Sequence, residues 1–361
     1  MVYNKSKIFF WFFISLVSFT CLFSIYSFKP IIDGDGITYV QAINVLRGDV
    51  VPLSFVPNRI LTTFFGLESI ILFSKIFGSI EAGWLILNII LFFILNITFY
   101  KLVLCIFKSD WTAFLASSFL VLNYGMIFFG LDYWMDIGGW TFYIISLCFI
   151  LKYIETGERK SLLYSSLFIG VGVLFKEYAF LALIPMVVIL AYENWFNLIK
   201  MFKKSLALVF ISLIPIATVY FYVFEKFRYT YVDWLSMNNN YYIYNSRIIE
   251  YIKSFGSLYN VLVVLVLGGL YYFFHNRDTI VPEKKTQVFI VSIVVSVFPV
   301  FMWPAITQRI LFITVPAMLL VASFLFKKQE NYWWLFLFVL VIYAVFNFNM
   351  SYLLFNFNLP F

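Results

Sequence analysis

The sequence predicts an all-α polytopic membrane protein with about eleven transmembrane helices, and three observations carry that prediction. Of its 361 residues, 63% are hydrophobic and only 12% charged, with a mean hydropathy of +0.94. A soluble domain carries about twice that share of charge. Apolar runs of about 17 to 25 residues, the length of a spanning helix, recur from end to end. Alternating segments of about ten residues bounded by turns, the mark of a membrane β-barrel, do not.

Taken in order, the first run, 8–28, follows Lys5 and Lys7 as a signal sequence would, but has no small-residue cleavage site and reads as an uncleaved anchor. A first outer loop, 29–81, comes next and contains an apolar stretch at 60–77 with Gly66, Glu68 and Lys75 inside it. Further spans are expected at 82–104, 111–130, 137–153, 161–176, 178–193, 205–224, 258–275, 287–304, 309–326 and 332–354, with a second outer loop at 225–257. Together they form one membrane domain over 1–361 with no internal repeat of fixed period.

Charge decides how 60–77 is read. If it lies along the outer surface as a juxtamembrane or re-entrant helix, 15 of the 25 basic residues fall in short cytoplasmic loops: Lys5, Lys7, Lys101, Lys108, Lys152, Arg159, Lys160, Lys200, Lys203, Lys204, Arg277, Lys284, Lys285, Lys327 and Lys328. If it crosses, all the later clusters face outward, against the positive-inside rule. The same clusters explain the net charge of +7 as a topology signal and leave no basic stripe for nucleic acid.

The spacing of Cys21, Cys105 and Cys148 supports neither a disulfide frame nor a zinc site. The only histidine, His275, falls at a cytoplasmic helix end, which removes Ser-His-Asp, Cys-His and histidine-metal schemes from the outer side. Gly170 and Gly172 lie inside a span and suit close helix packing rather than a phosphate loop. Acid–base chemistry on the outer side therefore falls to carboxylates, Lys or Tyr.

Asp33 and Asp35, in Ile32-Asp33-Gly34-Asp35-Gly36, are the acids gathered on the first outer loop. As a calcium loop the pattern fails, because Ile37 stands where a third oxygen ligand belongs. Two readings stand side by side: an Asx-type turn with Asp35 as N-cap of the following helix, or a carboxylate facing a cavity. Other polar groups mark outer helix ends. Asp132 and Asp136 flank Tyr133-Trp134-Met135, Lys176-Glu177 interrupts an apolar run, and Arg309 opens a span where a guanidinium suits a lipid phosphate. Lys176-Glu177 reads equally as a structural ion pair. Tyr229, Tyr231, Trp234, Asn238, Asn239, Asn240, Tyr241, Tyr242, Tyr244 and Asn245 crowd the second loop, as a sugar-binding surface or an interfacial aromatic belt would.

The stretch Asp35-Gly-Ile-Thr-Tyr39-Val-Gln-Ala42, running on to Leu46-Arg-Gly48, resembles the first outer loop of GT-C-fold glycosyltransferases, among them protein O-mannosyltransferases and the lipid A aminoarabinose transferase. Pro57-Asn58-Arg59 is similar to the start of that family's juxtamembrane helix, here 60–77. Asp132 and Asp136 resemble its second acidic position, Val173 to Pro185 its lysine-bearing junction, and Arg309 to Pro316 its late Arg followed by Pro. One departure is that many members carry two adjacent acids where this chain has Asp35-Gly36, so Asp33 is the candidate for the second carboxylate.

The resemblance implies an inverting glycosyltransferase that moves a hexosyl or pentosyl unit from a polyprenyl-phosphate donor. The acceptor would be a glycan or lipid-linked molecule, since the large outer domain some relatives use to hold proteins is not expected. The site would face outward from a bacterial inner membrane. Asp35, with Asp33 in reserve, would be the catalytic acid; Arg309, Lys176 and Arg247 would bind the donor phosphate; Asp132, Asp136 and Glu177 would serve the acceptor or as second acid; Tyr39 and Arg59 would line the substrate loop. No resident cofactor is implied, and a divalent cation is a candidate between the acids. Two other readings compete: a polysaccharide polymerase of O-antigen or capsule type relying on Arg228 and Arg247, and a flippase or transporter of a lipid-linked sugar.

Overall fold

The computed structural model describes residues 2–32, 34–50, 56–233, 236, 247–302 and 308–357. Among them every regular element is helical. In chain order these are α1 (Val2–Phe28), α2 (Asp35–Arg47), α3 (Val56–Phe77), α4 (Ile80–Phe107), α5 (Asp110–Val121), α6 (Tyr124–Leu131), α7 (Asp136–Thr156), α8 (Arg159–Val173) and α9 (Leu183–Glu193). Then follow α10 (Leu198–Phe227), α11 (Arg247–Tyr259), α12 (Leu262–Ile280), α13 (Lys284–Ser296), α14 (Gln308–Leu311), α15 (Thr314–Lys328) and α16 (Trp333–Phe357). The protein is an all-α polytopic membrane protein.

Among the described residues seven helices are long and apolar enough to cross a membrane, and two helix pairs broken by bends of 59° (α5 with α6) and 82° (Tyr251–Tyr259 with α12) bring the number to nine if each pair is one span. This falls short of the expected eleven. Helices α8 and α15 have 15 residues and α9 has 11, and at about 1.5 Å per residue none reaches the roughly 30 Å of a hydrocarbon core by itself. Helix α3, expected along the surface, is itself among the seven.

The first bend shows how sequence sets the break. Asn123 stops α5, and its side-chain oxygen accepts from the Gly125 amide at 2.9 Å to start α6. Its amide donates to the carbonyl of Leu258 at 2.9 Å, tying this break to the second one. Close packing at Gly170 follows the sequence reading: a Cβ there would lie 2.5 Å from the Ser212 carbonyl of α10, and at Gly172 2.4 Å from Phe142 of α7.

The helix ends sort into two layers. At the lower end Lys108 pairs with Glu155 at 2.8 Å, Lys285 with Glu193 at 3.0 Å, Lys284 with Asp278 at 2.5 Å and Lys327 with Glu330 at 3.1 Å. His275 sits there too, exposed and bonded to the Tyr271 carbonyl. At the upper end α2 packs along α3. The two run side by side, because Asp35 meets Arg59 at one extremity and Arg47 donates to Ser74 at the other. The neighbours of α3 are upper helix termini: the Phe65 amide donates to the Leu174 carbonyl at 3.0 Å, Gly66 abuts Met135 and Phe175, and the Phe64 ring lies 5.8 Å from Tyr222.

Candidate active site

The site grows from the first turn of α2. Gly34, at φ 45°, turns the chain into the helix, and Asp35 is its first helical residue rather than the expected N-cap. Its carboxylate does not cap its own turn, because two guanidinium groups claim it. Arg59 Nη2 binds Oδ1 and Arg309 Nη1 lies 3.0 Å from Oδ2. A cap would set the carboxylate against backbone amides only, whereas each guanidinium brings a full positive charge.

Each arginine is fixed from behind. Arg59 lies in the first turn of α3, where it donates through Nε to Thr38 Oγ1 at 2.9 Å and stacks 4.8 Å above the Tyr39 ring. Arg309, on α14, turns its Nε to Asp136 Oδ1 at 3.6 Å and stacks 4.4 Å over the Trp134 ring. Asp136 opens α7 fully buried, and Tyr178 donates to the same Oδ1 at 2.9 Å. Its other oxygen, Oδ2, has no hydrogen-bond partner among the described residues.

The break between α8 and the 3-10 turn at Glu177–Ala182 brings in the third cation. Lys176 Nζ lies 3.9 Å from Glu177 Oε2, with the two side chains 11% and 21% exposed. Glycine at 139 lets this junction approach α7, since a Cβ there would stand 2.7 Å from Lys176 Cβ and 2.9 Å from its carbonyl oxygen. Burial pushes the Asp35 carboxyl up, but Arg59, Arg309 and Lys176 more than reverse it, so the group sits below the ordinary carboxylate range. The second loop reaches the same place: burial, with the Glu177 carboxylate beside it, raises the Tyr231 hydroxyl above the usual phenol range.

Of the residues singled out in the sequence, the fold brings together Asp35, Arg59, Arg309, Asp136, Tyr39, Lys176 and Glu177. Asp132 is buried behind them and shapes the loop: its Oδ1 accepts from the Tyr133 amide at 2.8 Å, and its carbonyl accepts from Asn88. Asp33, Trp234 and residues 238–245 lie outside the described residues, as does the side chain of Arg247. Arg228 is exposed and pairs with Glu225 at 3.9 Å. Sequence reasoning missed Thr38, Trp134 and Tyr178, which sit one to three residues from acids or lysines it did choose; adjacency was the available signal.

Both oxygens of Asp35 and one of Asp136 face guanidinium groups, and no group of three His, Cys, Asp or Glu among the described residues is placed to hold a metal ion. The described cations around Asp35 (Arg59, Arg309 and Lys176) form a donor set suited to an anion.

Residues 69–222 match the family model described as dolichyl-phosphate-mannose-protein mannosyltransferase. The matched stretch holds Asp132, Asp136, Lys176 and Glu177, while Asp35, Arg59 and Arg309 reach the cluster from outside it. No curated protein matches the chain. The family match supports a GT-C-fold membrane glycosyltransferase that uses polyprenyl-phosphate sugars.

Proposed function

We propose that this GT-C-fold membrane enzyme transfers a sugar from its polyprenyl-phosphate donor to a glycan or lipid-linked acceptor, with inversion, on the extracytoplasmic face. The observation that carries the reading is Asp35, held at the head of α2 between Arg59 and Arg309. The acceptor oxygen attacks the anomeric carbon as the bond to the phosphate oxygen breaks. A carboxylate within about 3 Å of the attacking hydroxyl takes its proton, a step that contributes roughly 10² to 10⁴-fold.

Arg309 and Lys176 stabilise the charge that develops on the leaving phosphate, which in a site shielded from water is a large contribution. Asp136 sets the angle of Arg309 from its buried place behind it. Trp134 and Tyr231 supply ring faces of the kind that pack against sugars. Lysine-rich loops at the lower end support a cytoplasmic placement of that end by the positive-inside rule, and with it an extracytoplasmic site. In this reading α3 lies across the upper helix ends, where its neighbours are found, and the donor's prenyl chain stays in the bilayer beneath it.

The test is to incubate purified protein with a panel of polyprenyl-phosphate sugars and candidate acceptors and to quantify released polyprenyl phosphate, wild type against Asp35→Asn. Release is expected from the wild type and not from the variant. Equal release from both removes Asp35 as the base.

A further inference from the structure

The two arginines on Asp35 are built alike. Each is anchored to the scaffold through Nε, Arg59 to Thr38 and Arg309 to Asp136, and each rests on an aromatic ring, Tyr39 or Trp134. Each spends an Nη on one oxygen of Asp35. Releasing Asp35 would therefore leave both guanidinium planes where they are, with their inner edges free for another anion.

We propose that Arg59 and Arg309 are shared cations, bound to Asp35 in the resting enzyme and handed to the lipid phosphate as Asp35 takes up the acceptor's proton. This rests on the reading of Asp35 as the base. The charges balance across the step. The donor phosphodiester carries one negative charge; when its bond to the anomeric carbon breaks, the electron pair stays on the phosphate oxygen, giving a monoester with close to two negative charges. The acceptor's proton goes to Asp35, which becomes neutral. One anion loses its claim on the arginines as the other gains it.

The consequence is a proton-coupled affinity: the site binds a lipid phosphate tightly when Asp35 is protonated and weakly when it is ionised. Several charged groups face Asp35 among the described residues. They are Arg59 on α3, Arg309 on α14 and Lys176 at the α8 junction, with Asp136 on α7 and Glu177 behind these cations and Tyr39 on α2 itself. Of the described acids, Asp35 alone touches the inner edges of both arginines.

The probe is farnesyl phosphate, titrated calorimetrically into detergent-purified protein. Asp35→Asn mimics the protonated acid and should bind it about ten-fold more tightly than wild type, within the ordinary range of coupling between sites. Glu177→Gln removes a neighbouring charge without freeing either arginine and should gain far less. In an Arg59→Gln background the Asp35→Asn gain should shrink. Equal gains in all three settings, or no gain at all, overturn the shared-cation assignment.

A second measurement needs no substitution. Farnesyl sulfate keeps one fixed charge, so its wild-type affinity should stay near its neutral-pH value down to about pH 5 and rise toward that of Asp35→Asn as pH falls below the ordinary carboxylate value near 4 and protonation of Asp35 frees the cations; a wild-type profile that still parallels the variant's at about pH 3 overturns the proposal. Transfer by Asp35→Asn separates the two claims. If the variant is inactive but binds no better, cation sharing falls and the base stands; if it transfers normally, the base falls whatever the binding shows.

Discussion

The two ends of this bundle both carry ion pairs, and they are built on different plans. At the lower end the pairs join neighbouring loops or turns one amine at a time; the Lys108 side chain is 72% exposed and that of Lys284 61%, while Glu193 of the Lys285 pair is sheltered at 18%. Exposed pairs contribute little to stability, and in the proposed topology their lysines mark the cytoplasmic side. At the upper end one carboxylate holds two guanidinium groups, each 16% exposed. Desolvation makes that arrangement a poor source of stability. In the proposed reaction its value is chemical: charges sheltered from water and anchored in place act strongly on whatever charge develops between them.

Substitutions that remove charge should therefore separate the ends. Asp35→Asn is expected to cost the largest amount, about 10² to 10⁴-fold in transfer rate, whereas Lys285→Gln at the lower end should leave transfer unchanged. Arg309→Ala should lose about 10² to 10³-fold. Arg309→Lys should recover only part of that, because lysine cannot reach Asp35 and Asp136 with separate nitrogens. Both are read as released polyprenyl phosphate at saturating donor. A lower-end variant as damaging as Asp35→Asn would erase the contrast.

The upper end was legible in the sequence residue by residue but not as a constellation. Asp35, Asp136, Lys176 and Arg309 stood out because a charge at the end of an apolar helix needs a reason. What a one-dimensional reading could not supply was partnership. Asp35 looked like an N-cap because the cap is local, whereas Arg59 and Arg309 arrive from 24 and 274 residues away. Trp134 and Tyr178 do not stand out in the sequence, since nothing in a linear pattern distinguishes a ring under an arginine from one facing a headgroup. The helical class was plain from hydropathy, but the span count was not, because the bend at Asn123 and the short helices α8, α9 and α15 depart from the one-run, one-helix rule.

Smaller effects sharpen the comparison. Tyr178→Phe removes the hydrogen bond that fixes Asp136, worth about 1 kcal/mol, and should lower kcat about five-fold while leaving KM for the donor nearly unchanged. A purely structural role would lower the melting temperature and spare kcat in the protein that remains folded. The pH dependence of stability has a definite sign. Asp35 is held below the ordinary carboxylate range, so its stabilising contribution is present above the unfolded value near pH 4 and is lost as pH falls through the folded value. The melting difference between wild type and Asp35→Asn should shrink on acidification below about pH 4.

The smallest effect is expected at the Lys108–Glu155 pair, which lies at 2.8 Å yet is open to solvent on the lysine side. A double-mutant cycle with Lys108→Gln and Glu155→Gln should return a coupling under about 1 kcal/mol. It should fade in 1 M salt, where the screening length is about 3 Å. The same cycle on Asp35 and Arg309, scored by transfer, should be strongly non-additive and much less sensitive to salt, because bulk ions do not enter between groups so little exposed. Equal salt sensitivity at both ends would mean that the upper cluster is as wet as the lower one, and the argument that its charges act in a shielded site would fail with it.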